Sequence, residues 1–233
     1  MPRNELRTSA SSSLSWVIFD LDGTLVETEQ IWRDVRHDFV IAQGGRWRDD
    51  AQTTMMGMRT AEWSRYIHDD LHVALPTNDI ADRVIDLVKE RLAKGVPIIP
   101  GAVDALQRLA PRFTLGLATA GAPAYAKTVL TNAGWEKLFS VVVYADEVAR
   151  GKPAPDVYLR ALKLMEADVC RTAAIEDSGS GIKSAHAAGT AVVAIPNREF
   201  PPAQGALSLA ACVLNNIGEL NVNTIEEALK QRR

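Results

Sequence analysis

The feature that most constrains this chain is a recurring one. Short apolar runs without polar alternation stand at 16–19, 113–118, 141–144, 173–175 and 191–195, with helical patterns between them. A run that is apolar at every position suits a strand covered on both faces, as in a parallel sheet. Val103, Leu106 and Leu109 follow Pro100-Gly101, and Val129 and Leu130 lie in a segment closed by Asn132-Ala133-Gly134. Val157, Leu159, Leu162 and Met165 follow Pro155-Asp156, and the helical pattern at 182–188 ends at Gly189, a residue suited to a left-handed C-terminal position. Strand alternating with helix predicts an α/β fold, a parallel sheet with helices on both faces.

One interval breaks the alternation. From 28 to 97 the pattern is helical throughout, with Ile80, Val84, Leu87, Val88 and Leu92 at helix spacing. A single crossover helix needs about a third of that length. The excess predicts an inserted helical subdomain, hinged near 26–29 and 96–100. Ligands of such sheets bind beyond the carboxyl ends of the strands, so an insert after the first strand would sit over the site as a lid. The expected division is a loose leader over 1–15, a sheet core over 16–27 and 98–233, and a helical cap over 28–97.

Composition narrows the partners. With 233 residues, 47% hydrophobic and 24% charged, the chain can bury a core without disulfides or structural metal. A net charge of −3 gives no electrostatic reason to expect nucleic acid or an anionic membrane. No apolar stretch reaches the roughly 18 residues of a membrane span, and the Ser-rich start lacks the apolar core of a signal peptide. A cytoplasmic protein is expected. Cys170 and Cys212 lie far apart without a metal-binding spacing, which predicts two small core thiols in a reducing compartment. No long apolar stripe argues for obligate assembly, so a monomer is expected.

The strand ends carry the chemistry. Asp20 and Asp22 flank Leu21 after the first run and are followed by Gly23 and Thr24. Two carboxylates so spaced can converge on one metal ion or divide the work of nucleophile and acid; a solvated turn is the plainer alternative. The second run ends in Thr119-Ala120-Gly121, a hydroxyl and unencumbered N–H groups ahead of a helix. The third is followed by Gly151-Lys152-Pro153, where Lys152 alone would read as an exposed lysine, and the fourth by Glu176-Asp177-Ser178, where the acids alone would read as a helix cap. Carboxylates, a hydroxyl, a lysine and more carboxylates at successive strand ends are improbable by chance.

In that order and spacing, Asp20-Leu21-Asp22-Gly23-Thr24-Leu25-Val26, Thr119, Gly151-Lys152-Pro153 and Glu176-Asp177-Ser178, with Gly181 and Ala187-Ala188-Gly189 downstream, resemble the haloacid dehalogenase-like hydrolases. The resemblance runs from Trp16 to about Pro202 and is to the β-phosphoglucomutase-like branch. It implies a Rossmann-like core with an inserted helical cap. It also implies a phosphatase that takes a small sugar or polyol phosphate ester through an aspartyl-phosphate. Asp20 would be the nucleophile and Asp22 the acid and base. Mg²⁺ would be held by Asp20, the Asp22 carbonyl and Asp177, with Glu176 direct or through water. Thr119, the Ala120 N–H and Lys152 would hold the transferring oxygens.

Within the branch, 29–32 and 56–59 resemble small hexose- and polyol-phosphate phosphatases, and Arg59 is the expected cap contact to the sugar. The resemblance is imperfect at three positions. Ala120 replaces a common Asn at a position used through its backbone. Trp32 stands where mutases carry His, and Ala122 where they carry polar residues for a second phosphate. The last two favour hydrolysis over a phosphomutase, the same-fold alternative. An Asp-phosphorylated signalling module is the alternative of another class. Trp32 and Trp63 read as core packing more readily than as pocket walls. His68 and His72 echo a zinc helix without its Glu or a third ligand.

Overall fold

The structure is a computed structural model and describes residues 15–231. Of the leader expected over 1–15, all but Ser15 lies outside the described residues. Six parallel strands form one sheet in the order β3-β2-β1-β4-β5-β6. They are β1 (Trp16–Phe19), β2 (Thr114–Thr119), β3 (Val141–Tyr144), β4 (Thr172–Glu176), β5 (Ala191–Ala194) and β6 (Cys212–Val213). β1 is central, in register with Thr114–Leu117 on one side and Thr172–Ile175 on the other. All four of its residues are buried, which is why the run shows no alternation. Val17 and Phe19 pack into one core cluster and Ile18 into the other, so successive side chains serve opposite faces.

The crossover helices cover those faces. Helices α5 (Ala102–Leu109), α6 (Pro123–Ala133) and α10 (Val222–Gln231) bury Leu106, Tyr125 and Ile225 in the cluster of Phe19. On the other face, α7 (Asp156–Leu164) and α8 (Gly179–Ala187) bury Val157, Tyr158 and Ile182 with Ile18. The helix ends follow their sequence signals. Pro123 opens α6 at its first turn and Gly134, at φ +71°, closes it in the left-handed conformation. Ser178 caps α8, its hydroxyl accepting from the Gly181 N–H at 3.0 Å.

The insert consists of α1 (Glu29–Ala42), α2 (Ala51–Met55), α3 (Thr60–Asp69) and α4 (Thr77–Leu92). Its Ile67, Leu71, Ile80, Val84, Val88 and Leu92 are fully buried and belong to the cluster of Phe19. The chain enters and leaves it side by side. Val26 bridges Ile98 antiparallel, the Glu27 N–H donates to Pro97 O at 2.8 Å, and the Ile99 N–H donates to Leu25 O at 3.0 Å. Above the sheet edge the insert is tied down a second time. Arg59 Nη1 donates to the carbonyls of Val148 (3.2 Å) and Ala149 (2.9 Å), and Thr60 Oγ1 donates to Asp146 at 2.7 Å.

Some expectations need correction. The second strand begins one residue later than 113–118, and the fourth extends by one residue at each end. The two-residue edge strand β6 and the four-residue helix α9 (Gln204–Leu207) are too short to generate a period, and the sequence reading did not predict them. The thiols are not core residues: Cys170 is exposed in a turn ahead of β4, and Cys212 is half-buried on the sheet edge. Neither turn nor edge has a second layer to cover it. Phe19 is fully buried and meets Phe139 edge-on at 6.4 Å. Phe19→Ala is therefore expected to lower unfolding free energy by about 3–5 kcal/mol in denaturant titrations. A loss below about 1 kcal/mol would contradict its central placement.

Candidate active site

At the carboxyl edge of the sheet, consecutive strand ends converge on Lys152. Its ammonium donates to Asp20 Oδ1 at 2.5 Å, to Glu176 Oε1 at 2.6 Å and to Ala118 O at 3.1 Å, bringing the ends of β1, β4 and β2 together. Burial works against that ammonium, but the Asp20 and Glu176 carboxylates outweigh it and hold Lys152 above the ordinary lysine range. The reading of Lys152 as an exposed side chain is excluded; it is 8% exposed.

The acids outnumber it. Carboxylate oxygens of Asp20, Glu176 and Asp177 lie within 4.8 Å of one another, and all three residues are buried. Burial pushes Asp20 up to about 8; Lys152 opposes the shift, while Glu176 and Asp22 add to it. Burial likewise holds Asp177 well above the carboxylate range, with Asp20 and Glu176 reinforcing it. The Asp177 carboxylate, on a residue 2% exposed, has one long hydrogen bond among the described residues, from Asn197 Nδ2 at 3.5 Å. Glu176 is better served. Its Oε1 takes Lys152 and the Tyr158 hydroxyl (2.7 Å), and its Oε2 accepts from Ser178 Oγ at 3.3 Å. Ser178 rather than either acid caps α8, so the carboxylates stay free for the cluster. Space for them depends on glycine: a Cβ at Gly181 would overlap the Glu176 carboxylate, and one at Gly23 would overlap Asp177.

Three closely packed carboxylates against one ammonium leave two negative charges when all are ionised. Oxygen-only donors with that excess suit a hard divalent cation such as Mg²⁺. The residues present therefore fit the metal that the sequence led us to expect.

Asp22 stands outside that cluster and lines the same cavity. Its Oδ1 accepts from both the Thr28 and the Tyr125 hydroxyls, whose oxygens stand 2.9 Å apart. Burial raises the Asp22 pKa, and those two hydrogen bonds hold it back. Thr119 is fully buried at the end of β2, where its Oγ1 accepts the Gly121 N–H at 2.9 Å. Ala120, Gly121 and Ala122 line the cavity between sheet and insert, as do Asp20, Asp22, Lys152 and Asp177.

From the insert, that cavity is lined by Glu29, Trp32, Arg36, the segment 55–58 and Trp63. Trp32 and Trp63 are buried, pack edge-to-face at 6.1 Å and also form the wall, so both readings of them hold. Arg59 is not among the lining residues; its guanidinium is spent on Glu62 (2.9 Å) and on the carbonyls of Val148 and Ala149. The insert's cation at the cavity is Arg36, lowered to about 10 by burial, with Glu29 and Asp22 opposing. Burial pushes Glu29 up to about 7, Asp22 adds to it, and Arg36 and Gln52 oppose. Sequence reasoning missed Arg36, Gln52, Tyr125 and Tyr158, each a lone residue in a helix with no motif around it. The zinc echo resolves as structure: His68 Nδ1 faces the carbonyls of Val73 and Leu75 at 2.9 Å, and His72 is exposed.

A parallel sheet whose strand ends gather acids, an ammonium and a hydroxyl beneath a helical lid is the framework of an α/β enzyme acting on a small ligand. Residues 17–195 match the haloacid dehalogenase-like hydrolase family, and the chain belongs to it. A bifunctional riboflavin kinase/FMN phosphatase of Arabidopsis thaliana is 30% identical over 195 residues, 81% of this chain and 51% of that protein. The chain thus spans about half the length of that relative. Protein CbbY of Rhodobacter capsulatus is 34% identical over 79% of this chain and 86% of its own. A phosphorylated carbohydrates phosphatase of Thermotoga maritima is 29% identical over 74% of this chain and 81% of its own. The solved structure of a mutant of CbbY from Rhodobacter sphaeroides with xylulose-(1,5)bisphosphate superposes with a TM-score of 0.79 at 25% identity, covering 91% of this chain and 99% of that one.

The acid cluster makes stability depend on pH in a definite direction. A carboxyl whose folded pKa lies above its unfolded value holds its proton more tightly in the native state. Its stabilising contribution is complete below the unfolded pKa and is lost as pH rises through the folded one. For Asp20 that interval runs from 3.8 to about 8. The melting temperature of chelator-treated protein is expected to fall between about pH 5 and pH 8, and added Mg²⁺ to raise it more at pH 8 than at pH 5. A melting temperature that climbs across the interval in chelator, or a Mg²⁺ effect equal at both ends, would contradict the assignment.

Proposed function

We propose that this protein is a Mg²⁺-dependent phosphatase that hydrolyses a small sugar or polyol phosphate monoester, with residues 28–97 as its cap and 16–27 and 98–233 as its core. The observation that carries the reading is the buried cluster of Asp20, Glu176 and Asp177 around Lys152, beside Asp22 and beneath the insert. The phosphatases among its relatives support the reaction class, and carbohydrate phosphate as substrate of the Thermotoga relative supports the ester.

Asp20 attacks phosphorus. The bond to the ester oxygen breaks, leaving an aspartyl-phosphate, so that one difficult displacement becomes two easier ones. Asp22 hands its proton to the departing alkoxide; burial raises its pKa in the direction that task needs. In the second step Asp22 takes a proton from water as the water attacks the phosphoaspartate. Thr28 and Tyr125 both hold Oδ1, which fixes the carboxyl and leaves its other oxygen for the proton. Lys152, the Thr119 hydroxyl and the Ala120 N–H hold the transferring oxygens as charge shifts.

Asp20, Asp177 and the Asp22 carbonyl would hold the Mg²⁺. Glu176, with Lys152, Tyr158 and Ser178 on its oxygens, would join them directly or through water. Bound there, the cation offsets the repulsion between an anionic carboxylate and a phosphate dianion. The cavity, ≈ 60 Å³, lies between core and insert, so substrate reaches Asp20 when the cap lifts. A phosphomutase, or a signalling module that keeps its phosphate, would need the phosphoaspartate shielded from water or passed to a second acceptor. Trp32, wedged against Trp63 and Tyr125, brings no acid or base for that transfer.

The test is a panel of phosphate esters with Mg²⁺. Asp20→Asn is expected to cut phosphate release by roughly a thousandfold or more, since an amide is no nucleophile. Hydrolysis by Asp20→Asn at the unaltered rate would sink the mechanism.

A further inference from the structure

The cap side of the cavity holds a polar group that the mechanism above leaves unused. Arg36, on α1, is 6% exposed. Its guanidinium carbon lies 4.6 Å from the Trp32 ring centroid and 5.1 Å from that of Trp63. Both rings attract it through their faces. Its hydrogen bonding among the described residues is a single long bond, Nη1 to Gln52 Oε1 at 3.5 Å, and its Nε has no partner. A buried guanidinium with unspent N–H groups is unfavourable until an acceptor arrives. Arg36 is also one of the residues lining the cavity above Asp20, and so is Glu29. The buried Gln52 amide joins the two, accepting from Arg36 and donating to Glu29 Oε2 at 2.8 Å. That bond spends one oxygen of Glu29. The cavity is therefore offered guanidinium N–H donors and a carboxylate acceptor, held at a fixed spacing by one amide.

We propose that Arg36 and Glu29, aligned by Gln52, form a specificity subsite that reads adjacent hydroxyls on the leaving group and rejects a leaving group bearing a second phosphate. The proposal rests on the phosphatase reading and names the feature by which that site chooses its ester. A hydroxyl both donates and accepts, so two neighbouring hydroxyls complement an N–H beside a carboxylate oxygen. A phosphate dianion only accepts. Placed here it would meet Arg36 already offset by Glu29, with Asp22 also close enough to act on both of them. Lys152, the other cation lining the cavity, is engaged by Asp20 and Glu176. Charge and hydrogen-bond pattern agree on an uncharged polyhydroxylated leaving group.

The test compares the wild-type chain with Arg36→Met and with the isosteric Glu29→Gln, each with Mg²⁺. The substrates are sugar and polyol monophosphates, a sugar bisphosphate, and acetyl phosphate, which has no hydroxyls. The ratio of kcat/KM for the best polyhydroxylated monophosphate to that for acetyl phosphate is expected to fall roughly ten- to hundredfold in Arg36→Met, mainly through KM. In Glu29→Gln the preference for monophosphate over bisphosphate is expected to narrow. Equal losses on sugar phosphate and acetyl phosphate in both variants would reduce the cluster to a structural role and overturn the proposal. So would a bisphosphate as the wild type's best substrate. If Arg36→Met does not fold, as judged by its melting curve, Glu29→Gln decides by the same ratios. A wild-type enzyme that releases phosphate from none of these esters overturns the phosphatase reading itself, a result distinct from both.

Discussion

One ammonium set against three buried carboxylates is the constraint from which the rest of the molecule follows. Lys152 touches Asp20, Glu176 and a backbone carbonyl of β2, and so ties the ends of the three central strands. It does not balance the charge it touches. Excess negative charge held away from water is unfavourable, and the fold keeps it by crowding: glycines at 23 and 181 make room for carboxylates where any side chain would displace them. A cluster left short of positive charge suits the divalent cation of the proposed mechanism.

Most of the framework can be read in the sequence because burial on both faces erases alternation. Trp16–Phe19 and Val141–Tyr144 are strands over the residues whose apolar runs announce them. The core site is legible for a related reason. A parallel sheet delivers ligand-facing residues at or after its strand ends, in chain order: Asp20, Thr119 and Glu176-Asp177 stand where strands stop, and Lys152 in the loop after β3. The cap side obeys no such rule. Glu29, Arg36, Gln52 and Trp63 come from three helices and meet through packing between them, which no local pattern encodes. Tyr125 and Tyr158 are hidden in the same way, as helix residues whose hydroxyls happen to reach carboxylates.

Arg59 illustrates the limit of reading roles from position alone. It stands in the segment that approaches the site, yet it fastens the insert to the loop before Lys152, with Thr60 and Asp146 completing the fastening. Gly57, at φ +75° and close to Ser180, lets the insert descend that far. The cation that lines the cavity from the insert is Arg36, on α1.

The crossing at 26 and 98 has a consequence for timing. Val26 bridges both Asp22 and Ile98, and two residues on, Thr28 hydrogen-bonds the Asp22 carboxylate. On the proposed mechanism, pivot and proton donor share one short stretch of chain, so a swing of the insert would act on Asp22 through Thr28 and gear the acid to its door.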